Sequence, residues 1–430
     1  MKKSVCFEGM QLQDQVTITS PNPQFVLNGL QNNQKTMIPI DENLLSKHML
    51  LLGGIGTGKS NLFYHLIRGL RYSMKENDIM IIFDAKGDYF EKFYKEGDIV
   101  ISNDAHSNVA WNIFEEVMVD ERWEENIMEI TRFLFAEKSQ KTNQIFFPNA
   151  ARDLLTALML HLTRSEKYKG HRNNRSLRNY INSFSIKGMK AVLKQHKDLT
   201  GMTSYIENPD SGQAMGVVSE LQQTIREILI GNFKEKGDFS IRKQLRKGEK
   251  KVIFIEFDLG IGKTLSPIYS LLIDLAIKEA LCRKEKTGSI YFVLDEFRLL
   301  APLMHMDNGV NFGRSLGAKF LIGAQNIEQV FDVYGEKAAL SILSGFSTTI
   351  AFRLNDFESR NYIKNRIGQN TKMITYMSKV QTKGIVENVK EGNVVEDWNL
   401  LRLNIGEAVV QSLSSDPFIF YFNEFVMKGA

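Results

Sequence analysis

The chain has 430 residues, of which 43% are hydrophobic and 24% are charged, and its formal net charge is +4. This composition is typical of a globular protein that buries a substantial core, and it excludes a chain that is disordered throughout. The two cysteines, Cys6 and Cys282, form neither a metal-ligand spacing nor a disulfide framework, which is typical of a reducing compartment.

The first part of the chain predicts a small β element followed by buried strands. Residues 1–48 contain short β-like stretches separated by Pro, Gly and Asn, and these are VTITS (16–20), QFVLNG (24–29) and TMIPI (36–40). The apolar run HMLLLGG (48–54) and the run IMIIFD (79–84) are typical of strands covered by helices on both faces.

From residue 104 to residue 247 helical periodicity replaces the strand signal, so we predict an all-α insertion there. Its clearest helices are ENIMEITRFLF (125–135), NAARDLLTALMLHL (149–162) and AMGVVSELQQTIREILI (214–230). Strand patterns then return at KVIFIEF (251–257), IYFVLDE (290–296), KFLIGAQ (319–325) and STTIAFR (347–353). Between these strands SPIYSLLIDLAIKEALC (266–282) predicts a core helix, and near the end the polar stretch 378–397 predicts a loop or a hairpin.

Strands that alternate with helices indicate an α/β fold with a mostly parallel sheet. We therefore predict a small N-terminal β element over 1–48, a nucleotide-binding core formed by 49–103 and 248–430, and an all-α domain over 104–247 inserted into that core.

The stretch 53–60 fits G-x4-G-K-[ST], a loop whose backbone N–H groups and following helix bind phosphate. Lys59 is expected to reach the β- and γ-phosphates and the Ser60 hydroxyl to bind Mg²⁺. We therefore predict a site for ATP and Mg²⁺, with nucleotide-binding residues Gly53, Gly54, Gly56, Thr57, Gly58, Lys59, Ser60 and Asn61. A second stretch, 257–264, also ends in Gly-Lys-Thr, but Phe257 replaces the first glycine and crowds the phosphate cradle, so no second site is predicted.

Hydrolysis also needs a carboxylate for the metal and a group that orients the attacking water. Asp295 and Glu296 end a predicted strand, and we expect Asp295 to hold Mg²⁺ through water and Glu296 to polarise the nucleophilic water. Asp84 competes for the metal role, but it lacks an adjacent second acid, and a turn after the strand is the default interpretation. Gln325 ends another strand and is expected to sense the γ-phosphate.

In this order the motifs resemble those of conjugative coupling proteins of type IV secretion systems, within the FtsK/HerA group of P-loop DNA-pumping ATPases. The stretches that carry the resemblance are IPIDENLLSKHMLLLGGIGTGKSN (38–61), IIFDAKGDYFEKF (81–93), FFPNAARDLL (146–155), YFVLDEFRLLAPL (291–303), IGAQNIEQVFDVYGEKAALSILSGFSTTIAFR (322–353) and LLRLNIGEAVVQSLSSDPF (400–418). The last stretch is similar to the family's C-terminal strand pair.

The resemblance implies a RecA-like motor core interrupted by an all-α domain, and a homo-oligomeric ring of six subunits with DNA in its channel. Nucleotide would lie between subunits, where an arginine of the neighbouring copy stabilises the transition state. Arg314 fits that role best by position, and Arg353 is the second choice. A relaxase and secretion-channel proteins are left open as further partners.

The family usually begins with membrane-spanning helices, and this chain shows no such helix before the phosphate loop. No apolar run has the length of a membrane span, and the N-terminus lacks the apolar core of a signal peptide. We therefore expect a cytoplasmic protein without a transmembrane segment of its own, and recruitment by partners to the inner face of the cell membrane stays open.

The insertion contains one strongly basic segment, RSEKYKGHRNNRSLRNYINSFSIKGMKAVLKQHK (164–197), with ten Lys or Arg residues and a single acid, Glu166. Such a segment attracts the phosphates of DNA without reading sequence, and Tyr168 and Tyr180 could stack on bases. The alternative is a solvated helical face, or a surface that packs against an acidic neighbour.

The sequence thus favours an ATP-dependent DNA translocase of the coupling type. One alternative is a related pump, either a chromosome translocase or a viral packaging ATPase, and the α insertion and the Tyr-Gly after Gln325 favour the coupling type over it. The other is an ATP-binding substrate receptor with little turnover, against which the presence of both Asp295 and Glu296 argues.

Overall fold

The apolar runs of the sequence form the strands of the computed structural model, which describes residues 3–377, 385–413 and 415–427. In chain order the strands are β1 (Lys3–Glu8), β2 (Phe25–Gln31), β3 (Gln34–Ile40), β4 (Met49–Leu52), β5 (Ile79–Asp84), β6 (Ile99–Ile101), β7 (Lys251–Glu256), β8 (Ile290–Leu294), β9 (Ala318–Ala324), β10 (Thr348–Ala351), β11 (Gln369–Met377), β12 (Ile385–Asn393), β13 (Glu407–Ser412) and β14 (Ser415–Phe422). The helices are α1 (Glu42–Ser46), α2 (Lys59–Ser73), α3 (Asp88–Phe93), α4 (Ile113–Val117), α5 (Trp123–Lys141), α6 (Phe146–Arg164), α7 (Asn174–Ser183), α8 (Ile186–Leu193), α9 (Gly212–Ile228), α10 (Ile241–Lys247), α11 (Gly262–Leu281), α12 (Met306–Phe312), α13 (Glu328–Tyr334), α14 (Glu336–Ser344), α15 (Phe357–Ile367) and α16 (Asp397–Leu401).

The chain divides into two compact units, each assembled from separate stretches of sequence. The first unit contains Met1–Lys75, Ser289–Arg298 and Val310–Ala430, and the second contains Glu76–Gly288 and Leu299–Gly309. The predicted domain boundaries at residues 48, 104 and 248 stay a prediction.

In the first unit the strands run in the order β3-β2-β14-β13-β10-β4-β9-β8. Strands β10, β4, β9 and β8 are parallel, as predicted, and Leu50 of β4 pairs with Thr349 on one side and Ile322 on the other. Because the carboxyl ends of parallel strands meet at one edge, the residues that follow β4, β8 and β9 come together there.

Antiparallel strands extend this sheet beyond β10. Strand β13 pairs with β10, β14 pairs with β13 as the predicted C-terminal strand pair, and the β2–β3 hairpin pairs with β14. A separate antiparallel sheet has the order β1-β11-β12. In the stretch 378–397, predicted as a loop or a hairpin, residues 385–393 form β12 against β11, and residues 378–384 lie outside the described residues.

One strand prediction in the N-terminal segment is wrong. Residues 16–20, VTITS, form no strand. Instead of strand pairing through its backbone, this segment makes a side-chain contact, in which the Thr17 hydroxyl donates to the Asp416 carbonyl oxygen at 2.6 Å. Alternating β-branched residues favour a strand only where a neighbouring strand pairs with them, so the local pattern was not enough.

The second unit contains the parallel strands β5-β7-β6 and the helices α3 to α11. Helix α11 confirms the predicted core helix, and among the described helices none is both long and apolar enough to cross a membrane. Buried charges join α4, α10 and α11. The fully buried Glu116 carboxylate accepts from the Ile241 N–H at 2.7 Å, and the fully buried Arg242 donates to Glu279 at 3.1 Å.

Candidate active site

The phosphate loop has the conformation that its glycines predict. Gly56 and Gly58 have φ angles of 72° and 115°, a left-handed region that favours glycine. The loop is braced by the Thr57 hydroxyl, which donates to the Gly54 carbonyl oxygen at 2.8 Å. Helix α2 begins directly afterwards at Lys59, so the positive end of a 15-residue helix faces the loop, an arrangement typical of an anion cradle.

The two residues predicted to bind the metal are brought into contact across 235 positions of sequence. The Ser60 hydroxyl donates to Asp295 Oδ2 at 3.2 Å, and Lys59 Nζ lies 3.5 Å from Asp295 Oδ1. Both charged side chains are buried. A hydroxyl and a carboxylate placed together at a phosphate loop are oxygen ligands of the kind that Mg²⁺ uses, directly or through water, so these residues fit that ion.

The predicted water-activating acid is held by two neighbours. Gln325 Nε2 lies 3.3 Å from both carboxylate oxygens of Glu296, and Arg298 Nε lies 3.6 Å from Oε2. Gln325 and Glu296 follow adjacent parallel strands, which explains their proximity. The sequence did not lead us to predict Arg298 as a site residue. Its position two residues after Glu296 was the feature that could have indicated it.

Gly323 was also missed, although it determines how closely β9 approaches the metal carboxylate. A Cβ atom at this position would stand 2.5 Å from the Asp295 carbonyl oxygen and 2.6 Å from Asp295 Oδ1. Only a residue without a side chain allows the two strand ends to lie this close. A glycine inside the apolar strand KFLIGAQ is the kind of signal that marks close backbone approach.

Gly406 is a third residue that the sequence did not indicate. Its N–H donates to the Thr57 carbonyl oxygen at 2.9 Å, and a Cβ on Gly58 would lie 3.0 Å from the Cα of Gly406. The segment that precedes β13 therefore lies directly against the phosphate loop.

Asn61 is predicted to bind nucleotide, but its side chain holds the C-terminal segment. Its amide donates to the Asn423 carbonyl oxygen at 2.9 Å and accepts from the Phe425 N–H at 2.7 Å. The Phe425 and His65 rings pack with their centroids 5.2 Å apart, and the Arg68 guanidinium carbon lies 4.6 Å from the centroid of the Phe425 ring. The role of Asn61 in the nucleotide site stays a prediction.

The two candidate arginines lie at opposite edges of the sheet. Arg353 follows β10, and its carbonyl oxygen accepts from the Gly54 N–H at 3.3 Å, so it is beside the phosphate loop of its own chain. Arg314 precedes β9 and is exposed. Since seven strand residues span about 23 Å, Arg314 is remote from the phosphate loop of its own chain.

The two competing candidates are Asp84 for the metal and the second Gly-Lys-Thr stretch, 257–264, for phosphate, and both lie in the second unit. The Asp84 carboxylate accepts four backbone N–H groups, from Lys86, Gly87, Tyr89 and Phe90, at 2.8 to 3.2 Å, which favours the turn interpretation. Burial raises the pKa of Asp84 above its usual value, and these four bonds oppose that rise. In the second Gly-Lys-Thr stretch, a Cβ on Gly262 would meet the Phe257 ring at 2.2 Å, so that ring fills the place where a cradle would form.

Several charges of the basic segment are neutralised by nearby acids. Arg164 pairs with Asp198 and Glu124, Arg175 pairs with Glu235, and Lys190 pairs with Glu207. The rings of Tyr168 and Tyr180 pack against each other with centroids 5.9 Å apart. Lys187, Lys194 and Lys197 are exposed, and within the described part of the chain no ion pair involves any of these three lysines.

The chain is similar to coupling proteins of type IV secretion systems. Residues 33–396 match the sequence model of a protein family that is described as the type IV secretion-system coupling protein DNA-binding domain. Coupling protein TraD of Escherichia coli (strain K12) is 22% identical over 342 residues, which are 77% of this chain and 45% of that protein. The type IV secretion system-coupling protein VirD4 of Bartonella henselae is 23% identical over 72% of this chain and 49% of that protein. The chain thus spans about half the length of these two relatives.

Among solved structures, the plasmid coupling protein TrwB in complex with ADP and Mg²⁺ superposes with a TM-score of 0.74. Its sequence is 19% identical, and the match covers 98% of this chain and 95% of that chain. This similarity confirms the predicted fold class, a RecA-like P-loop core with a mostly parallel sheet, together with an all-α domain.

Proposed function

Because the chain belongs to the family of type IV secretion-system coupling protein DNA-binding domains, we propose that it hydrolyses ATP with Mg²⁺ and uses the energy to move DNA in conjugation or type IV secretion. The observation that carries the proposal is the convergence of Lys59, Ser60, Asp295, Glu296 and Gln325 at one edge of the sheet. The TrwB structures with ADP and Mg²⁺ and with the ATP analogue ADPNP support the choice of ligands.

Each side chain then has a defined role. Lys59 and the N–H groups of the loop bind the β- and γ-phosphates, while Ser60 and Asp295 hold the metal, Asp295 through water. Bound Mg²⁺ would supply positive charge to the phosphate oxygens. Glu296 polarises the attacking water, and Gln325 holds Glu296 and senses the γ-phosphate.

The proposal includes a ring of six copies in which ATP is hydrolysed between subunits. An arginine of the neighbouring copy would reach the γ-phosphate, and Arg314 is the first candidate. Its exposed position, remote from its own phosphate loop, suits a residue that acts on another subunit. Arg353 is the second candidate, since it lies beside its own loop.

DNA is the proposed partner, and the basic segment 164–197 is its proposed contact in the all-α domain. Further proposed partners are a relaxase and secretion-channel proteins. We also propose that the protein works in the cytoplasm and that such partners recruit it to the inner face of the membrane.

Steady-state ATP hydrolysis with and without DNA at low salt tests the proposal. We expect DNA to stimulate turnover, and Glu296→Gln to lower kcat by about 100-fold or more while ATP still binds, because the amide cannot polarise water. The matched control Glu336→Gln changes an exposed acid at the start of α14 and should leave kcat unaltered. If DNA did not stimulate turnover at low salt and Glu296→Gln turned over ATP like the wild type, the motor would be excluded and a receptor with little turnover favoured.

A further inference from the structure

The proposed γ-phosphate sensor and the proposed water-activating acid both lie on one side of strand β4. Gln325 follows β9, the neighbour of β4, and Glu296 follows β8, the next strand. In a bound ATP the adenosine is attached to the opposite end of the triphosphate, so it extends away from these side chains. The first two strands on the other side of β4 are β10 and then β13.

The segment Arg402–Gly406, which we name the 402–406 loop, occupies the phosphate-loop edge on that other side. It leads into β13, and because β13 is antiparallel to β10, its first residues lie beside the carboxyl end of β10, where Ala351 pairs with Val409. The hydrogen bond from Gly406 to Thr57 attaches the loop directly to the phosphate loop.

The 402–406 loop is fixed on both sides of its tip. The backbone N–H and the amide of Asn404 each donate to Glu407 Oε2 at 2.8 Å, and the Phe422 N–H donates to the Gly406 carbonyl oxygen at 2.8 Å. Between these anchors the side chain of Ile405 is 64% exposed. A preordered apolar side chain can bury a ligand surface with little loss of conformational entropy.

From these contacts we infer that the 402–406 loop is the nucleoside end of the ATP site, and that Ile405 is the apolar surface on which the adenine base packs. This inference rests on the proposed function. The binding contact then comes from residues that are distant in sequence from the phosphate-loop motif, and the phosphates are bound independently of Ile405.

Isothermal titration calorimetry with ATP and, separately, inorganic tripolyphosphate, each with Mg²⁺, tests this assignment. Ile405→Asn should weaken ATP binding about tenfold and leave tripolyphosphate binding unchanged, since it removes an apolar contact to the base without adding charge. Ile405→Leu should restore ATP affinity. The control Leu413→Asn changes a side chain that is also 64% exposed and directly follows the far end of β13, and it should alter neither affinity.

The outcomes separate the inference from the proposed function. Unchanged ATP affinity in Ile405→Asn, or an equal loss for ATP and tripolyphosphate, would overturn the role of Ile405. If the wild-type protein bound neither ligand, the proposed ATPase function would be wrong instead.

Discussion

Replacing Gly323 with alanine is expected to stop most ATP turnover by displacing Asp295. The new Cβ would stand 2.5 Å from the Asp295 carbonyl oxygen and 2.6 Å from Oδ1. Carbon and oxygen atoms of neighbouring strands approach to about 3.3 Å, so the two strand ends must separate by roughly 0.8 Å.

This displacement acts on a carboxylate that contacts both Ser60 and Lys59. A misplacement of about 1 Å in an active site lowers the rate on the order of 100-fold, and overpacking costs about 1–3 kcal/mol of stability. We therefore expect Gly323→Ala to fold, to lose about 100-fold in kcat and to require more Mg²⁺ for half-maximal activity.

Steady-state hydrolysis across a Mg²⁺ titration, with thermal unfolding measured in parallel, checks this expectation. Gly212→Ala is the control, because a Cβ at the first residue of α9 meets no atom within 4 Å. If a folded Gly323→Ala protein kept the kcat and the Mg²⁺ dependence of the wild type, close approach of β9 would not position the metal carboxylate.

Two further predictions concern charged residues of the second unit. Replacing Lys187, Lys194 and Lys197 with alanine should make the slope of log affinity for DNA against log salt concentration shallower by up to about 3, because each phosphate contact contributes about 0.9 to that slope. Fluorescence anisotropy titrations at several salt concentrations measure the slope. Burial lowers the pKa of His305, and so does the nearby charge of Lys278. The hydrogen bond to Asp274 and the negative charges of Asp274 and Glu129 more than offset both effects, so the pKa of His305 is raised above its usual value. His305 therefore stabilises the fold fully below pH about 6.5, and this contribution is lost as pH rises through its raised pKa, so urea unfolding should show the difference from His305→Gln shrinking toward high pH.

Each of these two predictions has an outcome that contradicts it. An unchanged salt slope in the triple lysine variant would remove these side chains from the DNA interface. For the histidine, His171→Gln replaces an exposed ring and is the control variant. A stability difference between wild type and His305→Gln that stays constant with pH would mean that His305 does not contribute through its charge.

The sequence alone determined those features whose information is contained in contiguous residues. The phosphate loop over 53–60 is such a feature, because glycine conformational freedom and the following helix are local properties. The buried strands are another, since a strand covered on both faces is apolar along its whole length. Polar residues at the carboxyl ends of such strands then indicated Asp295, Glu296 and Gln325.

Only the tertiary structure decided how distant segments meet. The contact of Gly323 with Asp295, the attachment of Gly406 to Thr57 and the use of the Asn61 amide to hold the C-terminal segment all join residues far apart in sequence. VTITS failed to form a strand for the same reason, because pairing depends on the neighbour that the fold supplies. Local patterns specify which segments are strands or helices, whereas close approach between segments depends on sheet order and register, which no single stretch of sequence contains.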